Sequence, residues 1–189
     1  MMRENFSMYS GSSTDQTSYP LSLASGFNNA NLSLHVPAGR PPYEPERWNR
    51  SQKLLKRCNC VGYALNLKDL RWVIPGFLQT KQPLRPSFMD PEDYDQGFRK
   101  DGLIAIDPDT AAQTEDIPVI ASFYSSKWRE AHSFRLDNNG KYSYKNGDGL
   151  VRNTDLSGRE ILNLEDADLG SYTIRIGYYT IPKEGIHYL

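Results

Sequence analysis

Residues 137–140 read Asp-Asn-Asn-Gly and stand between His132-Ser-Phe-Arg-Leu136 and Lys141-Tyr-Ser-Tyr-Lys145. Asn, Asp and Gly tolerate the left-handed backbone of a tight turn, and the flanking segments have the aromatic and alternating character of strands. So short a connection returns the chain antiparallel to itself, which commits this part of the sequence to an antiparallel sheet. The surroundings have the same texture. Residues 103–106 are Leu-Ile-Ala-Ile, residues 117–124 form a continuous apolar run, and 172–179 place Tyr172, Ile174, Ile176 and Tyr178 alternately, on one face of a strand.

Upstream lies a segment of helical character. Between Asn59 and Leu67, Cys60, Ala64 and Leu67 share one face while Val61, Tyr63 and Leu65 cover most of the remaining circumference. A helix apolar nearly all round is a buried one, and Asn59 is suited to cap its first turn. Residues 73–100 carry prolines at 75, 83, 86 and 91, so they are expected to be loops with a short helix over 91–98. A helix followed by antiparallel strands predicts an α+β domain, a central buried helix packed on the sheet.

Residues 1–45 are rich in Ser, Asn, Thr, Gly and Pro. Scattered apolar residues cannot offset the entropy of ordering such a segment, so 1–45 is expected to be a disordered tail serving delivery, with 46–189 as the folded domain. The prolines within 37–45 mark the boundary. At 189 residues the chain has room for one core plus this tail.

Lys and Arg number 22 against 23 Asp and Glu, for a net charge of -1, so no electrostatic footprint points to nucleic acid or an anionic membrane. No apolar run approaches the roughly 18 residues of a membrane span, and residues 1–26 lack the cationic start and apolar block of a secretory signal. The two cysteines, Cys58 and Cys60, are too close along one segment to bridge each other, which fits a reducing workplace.

A thiol at a helix N-terminus beside an imidazole can become a thiolate nucleophile. Cys60, expected at the start of its helix, and His132, expected to open a strand that the fold would bring to it, are the candidates for that pair. The third member, orienting the imidazole, is Asp148 by the hairpin pairing or alternatively Asp168 ahead of the last strand. The oxyanion would be met by the Cys60 backbone N–H, with Asn59 and Gln52 as candidates for a second donor.

These residues carry a resemblance. Asn59-Cys-Val-Gly-Tyr-Ala-Leu-Asn66, Ala131-His-Ser-Phe-Arg-Leu-Asp-Asn-Asn-Gly-Lys-Tyr-Ser-Tyr-Lys145 and Asp168-Leu-Gly-Ser-Tyr-Thr-Ile-Arg-Ile-Gly-Tyr-Tyr179 are similar to a group of small bacterial effectors in the papain-like cysteine hydrolase superfamily, the Rho-deamidating effectors of the TecA type. The resemblance covers about residues 55 to 180. It implies a papain-like fold, a Cys-His-Asp triad and amide hydrolysis, as deamidation or cleavage, on a host protein such as a small GTPase. It also implies passage through a specialised bacterial secretion system into host cytosol, a secretion chaperone or immunity protein as partner, and no cofactor. The sequence departs from relatives that carry a second His in the strand after the first, where Tyr144 stands.

Other readings stand beside this one. A peptidoglycan amidase or endopeptidase of the NlpC/P60 type shares the chemistry, and a non-catalytic binding module would use the Tyr-rich sheet as its surface. A cysteine on a buried helix is ordinarily a small core residue, which is also the expectation for Cys58. Cys58, Cys60 and His132 fall short of the four ligands zinc usually takes, so no metal is expected. His35 and His187, in the tail and at the end of the sequence, are expected to be surface residues.

Overall fold

The 137–140 turn closes as its residues require. In the computed structural model, which describes residues 34–36, 39–51, 55–56, 58–67, 73–80, 89–114 and 117–188, Gly140 adopts φ +76°. Its N–H donates to the Asp137 carbonyl at 3.0 Å, and the Asp137 N–H donates to the Lys141 carbonyl at 2.9 Å. The turn joins β4 (Glu130–Leu136) to β5 (Tyr142–Lys145), pairing Leu136 with Tyr142 and Phe134 with Tyr144. With β2 (Ile104–Ile106), β3 (Val119–Ser125), β6 (Val151–Arg152) and β7 (Ile174–Thr180), these strands form a six-stranded antiparallel sheet in the order β2-β7-β3-β4-β5-β6. β1 (Leu34–Val36) pairs with β8 (Ile186–Tyr188) in a separate two-stranded sheet.

The helices are short: α1 (Pro45–Trp48), α2 (Cys60–Ala64), α3 (Phe77–Thr80), α4 (Pro91–Lys100) and α5 (Pro108–Gln113). Asn59 caps α2 by accepting from the Gly62 N–H at 3.0 Å, and all residues of α2 are buried. α4 runs further than 91–98 because it has strong ends. Asp90 and Asp93 form a reciprocal capping box at its start, and Arg99 and Lys100 complement the helix dipole at its end. α5 was not expected, although Asp107 followed by Pro108 is the same kind of start signal. The fold is α+β. Among the described residues no helix is long and apolar enough to cross a membrane.

Strand alternation puts a large buried cluster on each face of the sheet. Ile120 and Tyr179 face α2 and α4 and pack with Cys60, Val61, Leu65 and Phe98. The opposite face carries Ala121, Phe123, Phe134, Tyr144 and Tyr178, covered by Ala111 of α5 and by Ile161, Leu164 and Tyr172 from the long connection between β6 and β7. Full burial of a side chain such as Phe134 contributes about 1.5–3 kcal/mol, so this connection is held by its own apolar anchors although it has no regular strand or helix.

Two expectations change. The stripe of Tyr172, Ile174, Ile176 and Tyr178 is broken by a bulge: Ser122 pairs with Gly177 but Phe123 with Arg175, so Ile176 is passed over and Ile174 turns to the face opposite Tyr178. The ordered domain also begins before residue 46. The Arg40 side chain donates to the carbonyls of Ile117, at 3.1 Å, and Thr114, and the Pro41 carbonyl accepts from the Asn138 N–H at 3.0 Å. Proline-rich chain here is pinned to the sheet side of the domain by these contacts. Residues 1–33 of the expected tail lie outside the described residues.

Candidate functional site

Cys60 opens α2 with its thiol wholly buried against the sheet. The backbone N–H groups of Ser133 and Val61 reach the sulfur, yet burial outweighs them and pushes the thiol up to about 11. Cys58 is buried in a third cluster with Trp48, Tyr63 and Val151, and burial raises its thiol to about 12. Both cysteines are free.

His132 is equally buried, among other neighbours. Its ring lies 5.0 Å from Phe134, 5.2 Å from Tyr144 and 5.3 Å from Tyr172, measured between centroids. These belong to the aromatic cluster on the face away from α2. Burial, and the field of Lys145, lower the imidazole to about 3. Ser133 and Arg135 are the β4 residues that face the helix, since Arg135 reaches the Tyr63 carbonyl. The two side chains join different clusters: adjacent positions on a strand face opposite ways, so the His132 ring lies with the aromatic cluster while Ser133, whose N–H reaches the Cys60 sulfur, faces α2.

The other expected members are dispersed. Continuing the β4–β5 register beyond Phe134 and Tyr144 puts Asn146 opposite His132, while Asp148 is exposed in the turn that follows β5. Asp168 is exposed, accepting from the Gly170 N–H at 3.1 Å, while its own N–H donates to Asp155. The Asn59 side chain is committed to structure, since its Nδ2 donates to the Val73 carbonyl at 2.7 Å while its Oδ1 accepts from Gly62 and Val73. Gln52 lies outside the described residues. Cys58, Cys60 and His132, weighed as a metal set, line three separate clusters.

What sequence reasoning missed is a buried charged network on the helical face. The Arg135 guanidinium donates to Asp137 at 2.8 Å, to the Tyr63 carbonyl at 3.3 Å and to the Pro42 carbonyl at 3.0 Å, and lies 3.9 Å from the centre of the Tyr63 ring. Tyr63 shares a 2.7 Å hydrogen bond with Ser143. Lys145 donates to the carbonyls of Leu55, at 2.6 Å, and Gly147. Burial raises the Asp137 carboxyl despite Arg135, and burial lowers the Lys145 ammonium. The signal was present in Arg135, Ser143 and Lys145, polar residues at inward positions of strands. Chemically this network is a clamp: its cations are directed at carbonyl and carboxylate oxygens, and it fastens the 41–48 segment and α2 to the sheet.

No protein-family model matches the chain, and no solved structure matches it. Insoluble matrix shell protein 1 of the mollusc Ruditapes philippinarum is 34% identical over 137 residues, which span 72% of this chain and 86% of the relative. That finding corrects the expectation of a bacterial effector hydrolase acting on a host protein, because the relative is named for an insoluble shell matrix. With this share of both chains matched, the protein belongs to the family of insoluble matrix shell protein 1.

Proposed function

We propose that the chain is a non-enzymatic structural protein that enters an insoluble matrix, a stable folded unit whose exterior does its work. The observation that carries this is its kinship with insoluble matrix shell protein 1 over most of both sequences. Two features support it. Burial pushes the Cys60 thiol up to about 11 and the His132 imidazole down to about 3, which favours the uncharged form of each over a thiolate–imidazolium pair. The helix-on-sheet layout, which papain-like hydrolases also use, serves here as a scaffold tied by the Arg135 clamp. The exterior also carries large apolar side chains, among them Ile104, Trp128, Leu150 and Leu162.

Fractionation of the tissue or cells that make the protein tests this. Antibody detection should find it in material that resists salt and detergent extraction, and Cys60→Ala or His132→Phe should leave that partition unchanged. Full recovery in the soluble extract would sink the proposal.

A further inference from the structure

β2 is an outer strand of the six-stranded sheet, paired through Ile104–Thr180, Ala105–Tyr179 and Ile106–Tyr178 with β7. Among the described residues no strand pairs with its other side. An outer strand presents unpaired backbone N–H and C=O groups, and proteins that stay apart blunt such strands with charge, proline or a bulge. Within Ile104-Ala-Ile106 there is none of these, although the strand is only three residues long and Asp107 and Pro108 follow it directly. Ile104 is 51% exposed, and its neighbours in the strand are half-buried. Ile106 packs on the aromatic cluster, whereas Ala105 turns to the helical one. Ile104 therefore projects on the aromatic side, next to Ile106.

We propose that a second copy of this chain pairs with the β2 edge, β2 against β2, antiparallel and centred on Ala105. The strand reads the same in both directions, so a twofold axis at Ala105 sets Ile104 of each copy opposite Ile106 of the other, on one face. The sheet then runs on across both copies. Charge fits the antiparallel sense: exposed Lys100 precedes β2 and exposed Asp107 and Asp109 follow it, so the cationic end of one strand meets the acidic end of the other. A parallel pairing would bring like charges together. This pairing deepens the matrix proposal, and it rests on that proposal for its biological reason.

Sedimentation of the full chain over about a hundredfold range of concentration should show a monomer–dimer equilibrium. Ile104→Lys, at an exposed position, should weaken the dimer by about tenfold or more while leaving the thermal midpoint of the monomer in place. Cross-linking gives a readout independent of that variant's folding. Residues facing each other across an antiparallel axis have Cα atoms about 4.5–5.5 Å apart, within reach of a disulfide. Ala105→Cys should therefore form a covalent dimer on mild oxidation, and Ile104→Cys, offset from its own copy, should not. A wild-type chain that stays monomeric throughout overturns the pairing. So does an Ile104→Lys dimer as tight as the wild type, or cross-linking of Ile104→Cys as ready as that of Ala105→Cys. A monomer that still partitions into the extraction-resistant fraction removes the pairing and leaves the matrix proposal standing; a dimer recovered wholly in the soluble extract does the reverse.

Discussion

On the helical side of β4, Arg135 meets α2 through its guanidinium at the Tyr63 carbonyl and Ser133 through its backbone N–H at the Cys60 sulfur; on the other side His132 and Phe134 pack against aromatic rings and Leu136 joins the same cluster. Both sides are buried. A strand covered on both faces ordinarily reads as a continuous apolar run. β3 does, but β4 does not, because α2 brings its own polar backbone to the sheet. The Tyr63 carbonyl, left without a continuing helix to accept from, takes a hydrogen bond from Arg135 as well as from Leu65 and Asn66. Inward polarity in this sequence marks the side where a short helix ends, and inward aromaticity marks the side covered by irregular chain.

The largest expected effect breaks the polar side. Arg135→Ala leaves the buried Asp137 carboxylate without its guanidinium and should lower unfolding free energy in urea by about 3–5 kcal/mol. Arg135→Met combined with Asp137→Leu removes both charges and should recover much of that loss. A loss under about 1 kcal/mol for Arg135→Ala would mean that the clamp is dispensable. Phe134→Ala, one position away and facing the rings, should also cost about 3–5 kcal/mol, but through a cavity, so no charge-removing partner would restore it.

The next effect separates the two sides by pH. His132 is lowered from 6.5 to about 3 in the fold. As pH falls below 6.5 the unfolded chain takes up a proton that the folded chain refuses, so stability declines by about 1.4 kcal/mol per pH unit until the folded value is reached. On the helical side the order reverses. Cys60 and Cys58 are raised from 9.0 to about 11 and about 12, so the stability they supply is present below pH 9.0 and is lost as pH rises beyond it. Unfolding curves of the wild type and His132→Phe between pH 7 and 4 isolate the acid limb, even though Asp101, raised to about 6, titrates in the same range. The wild-type curve should fall more steeply than that of the variant, and equal slopes would contradict the buried neutral imidazole.

How far the sequence could be read depended on whether the signal was local. The hairpin at 137–140, the cap at Asn59 and the burial of α2 all follow from neighbouring residues, and all were legible. Which cluster the His132 ring joins was not, because it turns on strand parity relative to a helix far away in the chain. A single step along β4 decides whether His132 or Ser133 faces α2, and only the flanking contacts fix it: Arg135 must reach Tyr63 and Asp137, so 133 and 135 face the helix. The bulge at Ile176 escaped notice for a similar reason, since an unpaired residue leaves no mark on the pattern of apolar residues. The Asp148 and Asp168 alternatives followed from a partner that was on the other face.

A Cys60→Ala substitution tests the helical face with less force than Arg135→Ala. It removes one sulfur from a packed site and should cost about 1 kcal/mol, while iodoacetamide should label the native wild-type thiol far more slowly than the unfolded one. The smallest effect comes from repeating the Arg135–Asp137 chemistry in water. Lys141, which follows the same turn, bridges Glu160 at 2.7 Å with side chains 30% and 53% exposed, against 1% and 0% for Arg135 and Asp137. An exposed pair gains little because water and salt screen both charges and two flexible chains must be held still. Lys141→Ala should therefore change unfolding free energy by no more than about 0.5 kcal/mol, and that difference should vanish in about 1 M salt, where the Arg135→Ala deficit persists. A double-mutant cycle with Glu160→Ala measures the pair itself. A coupling as large as that of Arg135 with Asp137 would show that geometry, and not exclusion from water, gives the clamp its strength.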